Sequence, residues 1–126
     1  MTKQESLIIC RDMWKWLAEN PDKSKEHAIK ALNLPSMVSN CACCQYVEDM
    51  TGRAFDCNQC PLFNHWTENM LEREFHKRRA YLKYQDYCMD STYWEWEYED
   101  DMAERSRLAQ LISDAAQLEL DKLCQS

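Results

Sequence analysis

The chain has 126 residues, 45% of them hydrophobic, and a formal net charge of −7. That length and apolar share suit one domain with a core, while the negative charge argues against non-specific attachment to nucleic acid or to anionic membranes. One glycine and three prolines are few turn residues for a strand-rich fold, so the composition predicts helices, and no apolar run approaches the roughly 18 residues of a membrane span.

The first residues, Met1-Thr2-Lys3-Gln4-Glu5, are polar and form no apolar h-region. This predicts a reducing, cytoplasmic setting for the eight cysteines. Ser6 is positioned to cap a first helix ending near Glu19, with Leu7, Cys10, Met13 or Trp14, and Leu17 as its apolar stripe. Trp14 and Trp16 cannot share a helix face, so one is expected to cover a neighbouring element. Asn20-Pro21 ends the helix. Ser24 or Asp22 caps a short second helix to about Leu32, with Ala28, Ile29 and Leu32 on its narrow apolar side. His27 reads as a lone surface histidine. Asn33-Leu34-Pro35-Ser36 is a loop.

The organising stretch follows. Cys41-Ala42-Cys43-Cys44 and Cys57-Asn58-Gln59-Cys60-Pro61 hold two CxxC pairs separated by twelve residues. Each CxxC turn aims two sulfurs at one point, and two such turns enclose one tetrahedral ion. Cys41, Cys44, Cys57 and Cys60 are therefore the expected ligands of a structural Zn²⁺. Four thiolates leave no coordination position for water or substrate, so the ion is expected to supply folding energy and not catalysis. An iron–sulfur cluster also takes four cysteines, so the metal's identity is an inference. Disulfides and thioredoxin-like redox chemistry are the competing readings; a redox motif needs a strand–helix–strand context that the sequence does not offer. Cys43, inside the first pair, reads as a bystander, a neighbouring thiol or an alternative ligand. Tyr46-Val47 and Ala54-Phe55 are expected as short paired strands joined through Asp49-Met50-Thr51-Gly52, where the only glycine supplies a positive φ. A knuckle, a small hairpin and a second ligand pair at a helix start is, by fold-level analogy, the layout of treble-clef-like zinc modules.

Proline at position 61 suits the first turn of a helix. Leu62 or Thr67 begins a long helix to about Met89, with Leu71, Phe75, Leu82 and Met89 along one face. After Asp90-Ser91, Thr92 starts a second long helix with Glu95 three residues on as a capping box. Its expected stripe is Trp94, Tyr98, Arg105 by its stem, Leu108, Leu111 or Ile112, Ala115, Leu118 and Leu123. The predicted fold is mainly α and a single domain: N-terminal helices over 1–40, the zinc module over 41–62, and an antiparallel helical hairpin over 63–126.

Charge is segregated. Residues 73–83 hold five bases (Arg73, Lys77, Arg78, Arg79, Lys83) against Glu74 alone, and residues 90–104 hold seven acids and no base. A hairpin turning near Asp90 brings Arg78 and Arg79 towards Asp101, and Lys83 towards Glu97, which neutralises much of the basic block. The acidic block is rich in aromatics. Trp96 points away from the face that Trp94 and Tyr98 share, so it is expected to stand exposed among carboxylates. Trp94, Trp96, Glu97, Asp100 and Asp101 are thus the candidate contact surface for a protein partner; the plainer reading makes the aromatics packing residues and the acids a solvated face. The alternative is a nucleic-acid-binding zinc protein using Arg53, Arg73, Lys77, Arg78, Arg79 and Lys83. No enzyme is predicted. His27, His65 and His76 are dispersed, the Glu72–His76 spacing arises often by chance, and His65 alone does not make the histidine-rich motif of an HNH-type nuclease. Leftover apolar width on long helices would allow a homodimer.

The piece from Trp14 to Lys25 (W-K-W-L-A-E-N-P-D-K-S-K) and the elements CxxC-Q-Y and CxxC-P-L between Cys41 and Leu62 resemble small uncharacterised bacteriophage proteins with a tryptophan-rich N-terminal helix and a four-cysteine zinc module. The resemblance covers roughly the first half of the chain; the cysteine element is its more specific part. It implies a phage product acting in the bacterial cytoplasm, binding and blocking a host factor, including defence enzymes, and it implies no known reaction.

Overall fold

A computed structural model describes residues 1–52, 59–62 and 91–125. They form helices α1 (Lys3–Glu19), α2 (Lys25–Ala31), α3 (Ala42–Thr51), α4 (Ser91–Tyr98) and α5 (Met102–Gln125), with a 3₁₀ turn at Val38–Asn40 before α3. The mainly helical expectation is met, and no strand occurs among the described residues.

Helix α1 starts earlier than its sequence signal. Thr2 is the cap: its hydroxyl accepts the Glu5 backbone N–H at 3.0 Å, and the Glu5 carboxylate accepts the Thr2 N–H at 3.0 Å. This reciprocal box satisfies two otherwise orphaned donors. Ser6 is instead buried, and its hydroxyl donates to the Lys3 carbonyl at 2.8 Å. The C-terminal end lies where expected: the Asn20 side chain and backbone both donate to the Trp16 carbonyl, and Pro21 follows.

The core lies between α1 and α5. Leu7, Cys10, Met13, Trp14 and Leu17 on α1 meet Leu108, Ala109, Ile112, Ala115, Ala116 and Leu120 on α5. The helices run antiparallel: Ser113 Oγ donates to the Arg11 carbonyl at 2.9 Å, and one turn pair away Ser106 Oγ donates to the Ala18 carbonyl at 2.6 Å. Ala109 and Ala116 are fully buried, and seven residues apart they present the small side chains that let backbones approach. The expected stripe on α5 is corrected here. Ile112 faces the core while Leu111 is 43% exposed, and Leu118 is 49% exposed while Leu120 is buried. The partner that fixes this face is α1, which the sequence pattern of α5 alone does not reveal.

Two further expectations change. The predicted continuous helix from Thr92 is interrupted at Glu99-Asp100-Asp101. The Asp101 carboxylate accepts the Ala103 N–H at 3.0 Å and the Asp101 carbonyl accepts the Arg105 N–H at 2.9 Å, so Asp101 starts a new helix. The Thr92 side chain, and with it the capping box, lies outside the described residues. Tyr46-Val47 is not a strand but the middle of α3. Gln45 to Asp49 and Tyr46 to Met50 are bonded four residues apart, and Cys43 and Val47 share the buried face. Gly52 does take the expected positive φ, 78°, but as the left-handed C-cap of α3, its N–H donating to the Glu48 carbonyl at 2.7 Å. Ala54-Phe55, the long helix to Met89, and its pairings with Asp101 and Glu97 lie outside the described residues.

Candidate metal centre

Cys41 is the N-cap of α3, where free backbone N–H groups and the helix dipole favour negative charge. Its sulfur accepts the Cys44 N–H at 3.4 Å. A side-chain hydrogen bond from Cys44, then the Lys25 ammonium and the Cys44 and Cys43 N–H groups, overcome the opposing effect of burial and lower the Cys41 thiol to about 6. Cys44 moves the other way: the neighbouring Cys41 side chain, burial and the charges of Cys41 and Cys60 raise it. Cys60, half-buried against the core, lies within electrostatic reach of Cys44.

Behind this pair is a second layer of sulfur. Cys43 from α3 is buried in the same core cluster as Cys10 from α1, and Cys60 packs against that cluster. The neighbouring Cys10 and Cys60 thiols, together with burial, hold the Cys43 thiol well above its ordinary range.

The donors match in kind what a thiophilic ion needs. Cys41 and Cys44 stand at the start of α3, and Cys41 and Cys60 pack against the core cluster, while Cys57 lies outside the described residues. Among the described residues, no three His, Cys, Asp or Glu side chains form a group arranged to hold an ion. If zinc is bound, Cys41, Cys44, Cys57 and Cys60 are the residues to hold it.

Lys25 and Tyr93 complete the surroundings. Lys25 opens α2, and its Nζ stands 4.3 Å from the Tyr93 ring centroid and 5.9 Å from that of Trp14. Burial lowers the ammonium's pKa, but Cys41, Tyr93 and Cys44 outweigh it, and the net shift is upward. Burial pushes the Tyr93 phenol up, against Lys25, which donates a hydrogen bond to it. Neither residue is marked by the cysteine spacing. The sequence signal that was there is a lysine at the first position of a helix, where a cation is disfavoured.

The predicted partner surface divides. Trp96 is 1% exposed, packed edge-on against Trp14 at 4.7 Å, so the expectation that it stands exposed is overturned. The Arg105 guanidinium covers its ring at 4.1 Å, and the helix break after Tyr98 turns this face inward. Glu97, Asp100 and Asp101 are exposed, as is Tyr98 beside them; the Trp94 side chain lies outside the described residues. So do Arg53, Arg73, Lys77, Arg78, Arg79 and Lys83. His27 is exposed, its ring within 2.8 Å of the Ser24 hydroxyl at the start of α2. No described helix is long and apolar enough to cross a membrane.

No protein-family model matches the chain, and comparison with curated proteins and with solved structures likewise finds no match.

Proposed function

We propose that this chain is a zinc-stabilised, non-enzymatic binding protein, phage-encoded, that attaches to a host protein in the bacterial cytoplasm and inhibits or modulates it. The observation that carries the reading is the pairing of core-packed cysteines with an outward acidic turn on one small helical body. Cys41 and Cys44 stand at the start of α3, and Cys41 and Cys60 pack against the core that α3 shares with α1. Glu97, Asp100 and Asp101 project beside exposed Tyr98.

Zinc bound by four thiolates supplies folding energy, about 10–16 kcal/mol for small structural sites at neutral pH. That is comparable to the whole stability of a small domain. The protein's own residues do the rest. Cys43 on α3 and Cys10 on α1 share one buried core, and the α1–α5 core carries α4 and the acidic turn. Clustered carboxylates around an aromatic residue suit a basic surface on the partner, a phosphate-binding cleft included, with charge setting encounter rate and selectivity.

Affinity capture from bacterial lysate with zinc-loaded protein, compared with the E97K/D100K/D101K variant, tests the proposal. The expected result is a discrete captured protein that the variant loses. Equal capture by both proteins rejects the acidic turn as the contact surface.

A further inference from the structure

We infer that the edge made by Glu97, Tyr98, Asp100 and Met102 takes a cationic protein segment with an apolar side chain among its arginines or lysines, while Glu99 and Asp101 frame that edge from within. The inference rests on the host-protein reading and divides its acidic turn by role.

Two of the carboxylates are engaged by the chain itself. The Glu99 carboxylate accepts the Asp101 N–H at 3.0 Å, and the Asp101 carboxylate accepts the Ala103 N–H at 3.0 Å. These bonds hold the turn and start α5. Arg105 fixes the turn to the body, donating to the Trp96 carbonyl at 3.1 Å and to the Pro21 and Lys23 carbonyls. Among the described residues, no hydrogen bond or ion pair engages the Glu97 or Asp100 carboxylate, and both residues are exposed.

Large apolar side chains stand with them. Tyr98 is 67% exposed and Met102 40% exposed. The chain between them spans at most about 14 Å even when extended, so the pair belongs to one patch. Aromatic residues and methionine are favoured at protein interfaces, where acids as a class are depleted. The apolar pair therefore supplies the anchor, and the flanking acids select the charge of what docks. Arginine and lysine pair with the carboxylates, and arginine also stacks on a tyrosine face. A turn already held in place presents these groups at a lower ordering cost.

Fluorescence anisotropy with a labelled peptide in which arginine alternates with leucine, and with an oligo-arginine of equal charge, tests the inference. E97Q/D100N and E99Q/D101N each remove two negative charges, and glutamine and asparagine can still accept the framing bonds. We expect the wild type to prefer the arginine–leucine peptide. We expect E97Q/D100N to lose about tenfold or more in affinity, and E99Q/D101N, at matching circular dichroism, to stay within about threefold because a displaced exposed charge is screened. Y98A, which keeps every carboxylate, should lose the preference for leucine. Equal loss in the two double variants, an unchanged preference in Y98A, or no saturable binding by the wild type overturns the inference. Lysate capture with the same variants separates it from the reading beneath it. A captured protein that E97K/D100K/D101K loses, and that both double variants lose equally, overturns the inference and leaves the host-protein reading standing. Capture that E97K/D100K/D101K leaves unchanged removes both.

Discussion

Replacing Arg105 by methionine should destabilise the protein by about 2–4 kcal/mol, although sequence pattern places Arg105 in an apolar stripe by its stem. Its guanidinium joins three parts of the chain. Nε donates to the Trp96 carbonyl at 3.1 Å, Nη1 donates to the Pro21 and Lys23 carbonyls, the latter at 3.0 Å, and Cζ sits 4.1 Å above the Trp96 ring. Hydrogen bonds from a charged donor contribute about 1.5–3 kcal/mol each, and a cation over an aromatic face about 0.5–2 kcal/mol. The simple total overshoots, because Arg105 is only half-buried and water recovers part of what the carbonyls lose. Methionine keeps the stem's packing, so the loss reports the planar fork. Lysine keeps the charge but not the fork, and R105K should fall between. Urea unfolding at saturating zinc is the assay, with a midpoint about 1–2 M lower for R105M at ordinary slopes. An R105M protein within about 0.5 kcal/mol of wild type would refute the view that this side chain clamps α4 and the α1–α2 turn to α5.

Other outcomes follow from the same structure. Ile112→Ala should cost about 2–4 kcal/mol and the adjacent Leu111→Ala about 0.5 kcal/mol or less in the same urea assay, because one faces α1 and the other solvent; equal costs would place the wrong face of α5 against the core. Gly52→Ala should cost about 1 kcal/mol, since a Cβ there meets nothing within 4 Å but must accept a φ of 78°; an unchanged melting temperature would contradict the left-handed cap. A low-salt gel shift with DNA and RNA should show no complex at micromolar protein, and a salt-sensitive complex would favour the basic-helix reading over the acidic one.

Helix positions near the N-terminus were legible because their boundary signals are local: Asn20-Pro21 and Ser24 act within a turn. The CxxC pairs are marked by their spacing, which is local, while Cys57 lies outside the described residues. The Ser6 cap failed because Thr2 and Glu5, three residues apart, make a stronger reciprocal box. Tyr46-Val47 misled because a tyrosine–valine pair before a glycine suits a hairpin as well as a helix closed by a left-handed cap, and Cys41 as N-cap decides for the helix. Leu118 and Trp96 failed for a different reason, which also left Leu111 and Ile112 as alternatives until Ile112 proved the buried one. Each lies on an element whose facing partner is distant in sequence, and the break at Asp101 resets the helical phase between Trp96 and Leu108. Cys10 shows in the α1 stripe and Lys25 in its unfavourable place at the start of α2, but only packing sets Lys25 over Tyr93 and puts Cys10 in one core with Cys43.

The central claim is that one ion joins the two cysteine pairs. Metal analysis of the purified protein by native mass spectrometry, combined with thiol alkylation mapping, tests it most directly. The account predicts one zinc ion per chain, with Cys41, Cys44, Cys57 and Cys60 protected until a chelator removes it. A protein with no stoichiometric metal, whose four sulfurs alkylate freely or are joined as disulfides, would contradict it.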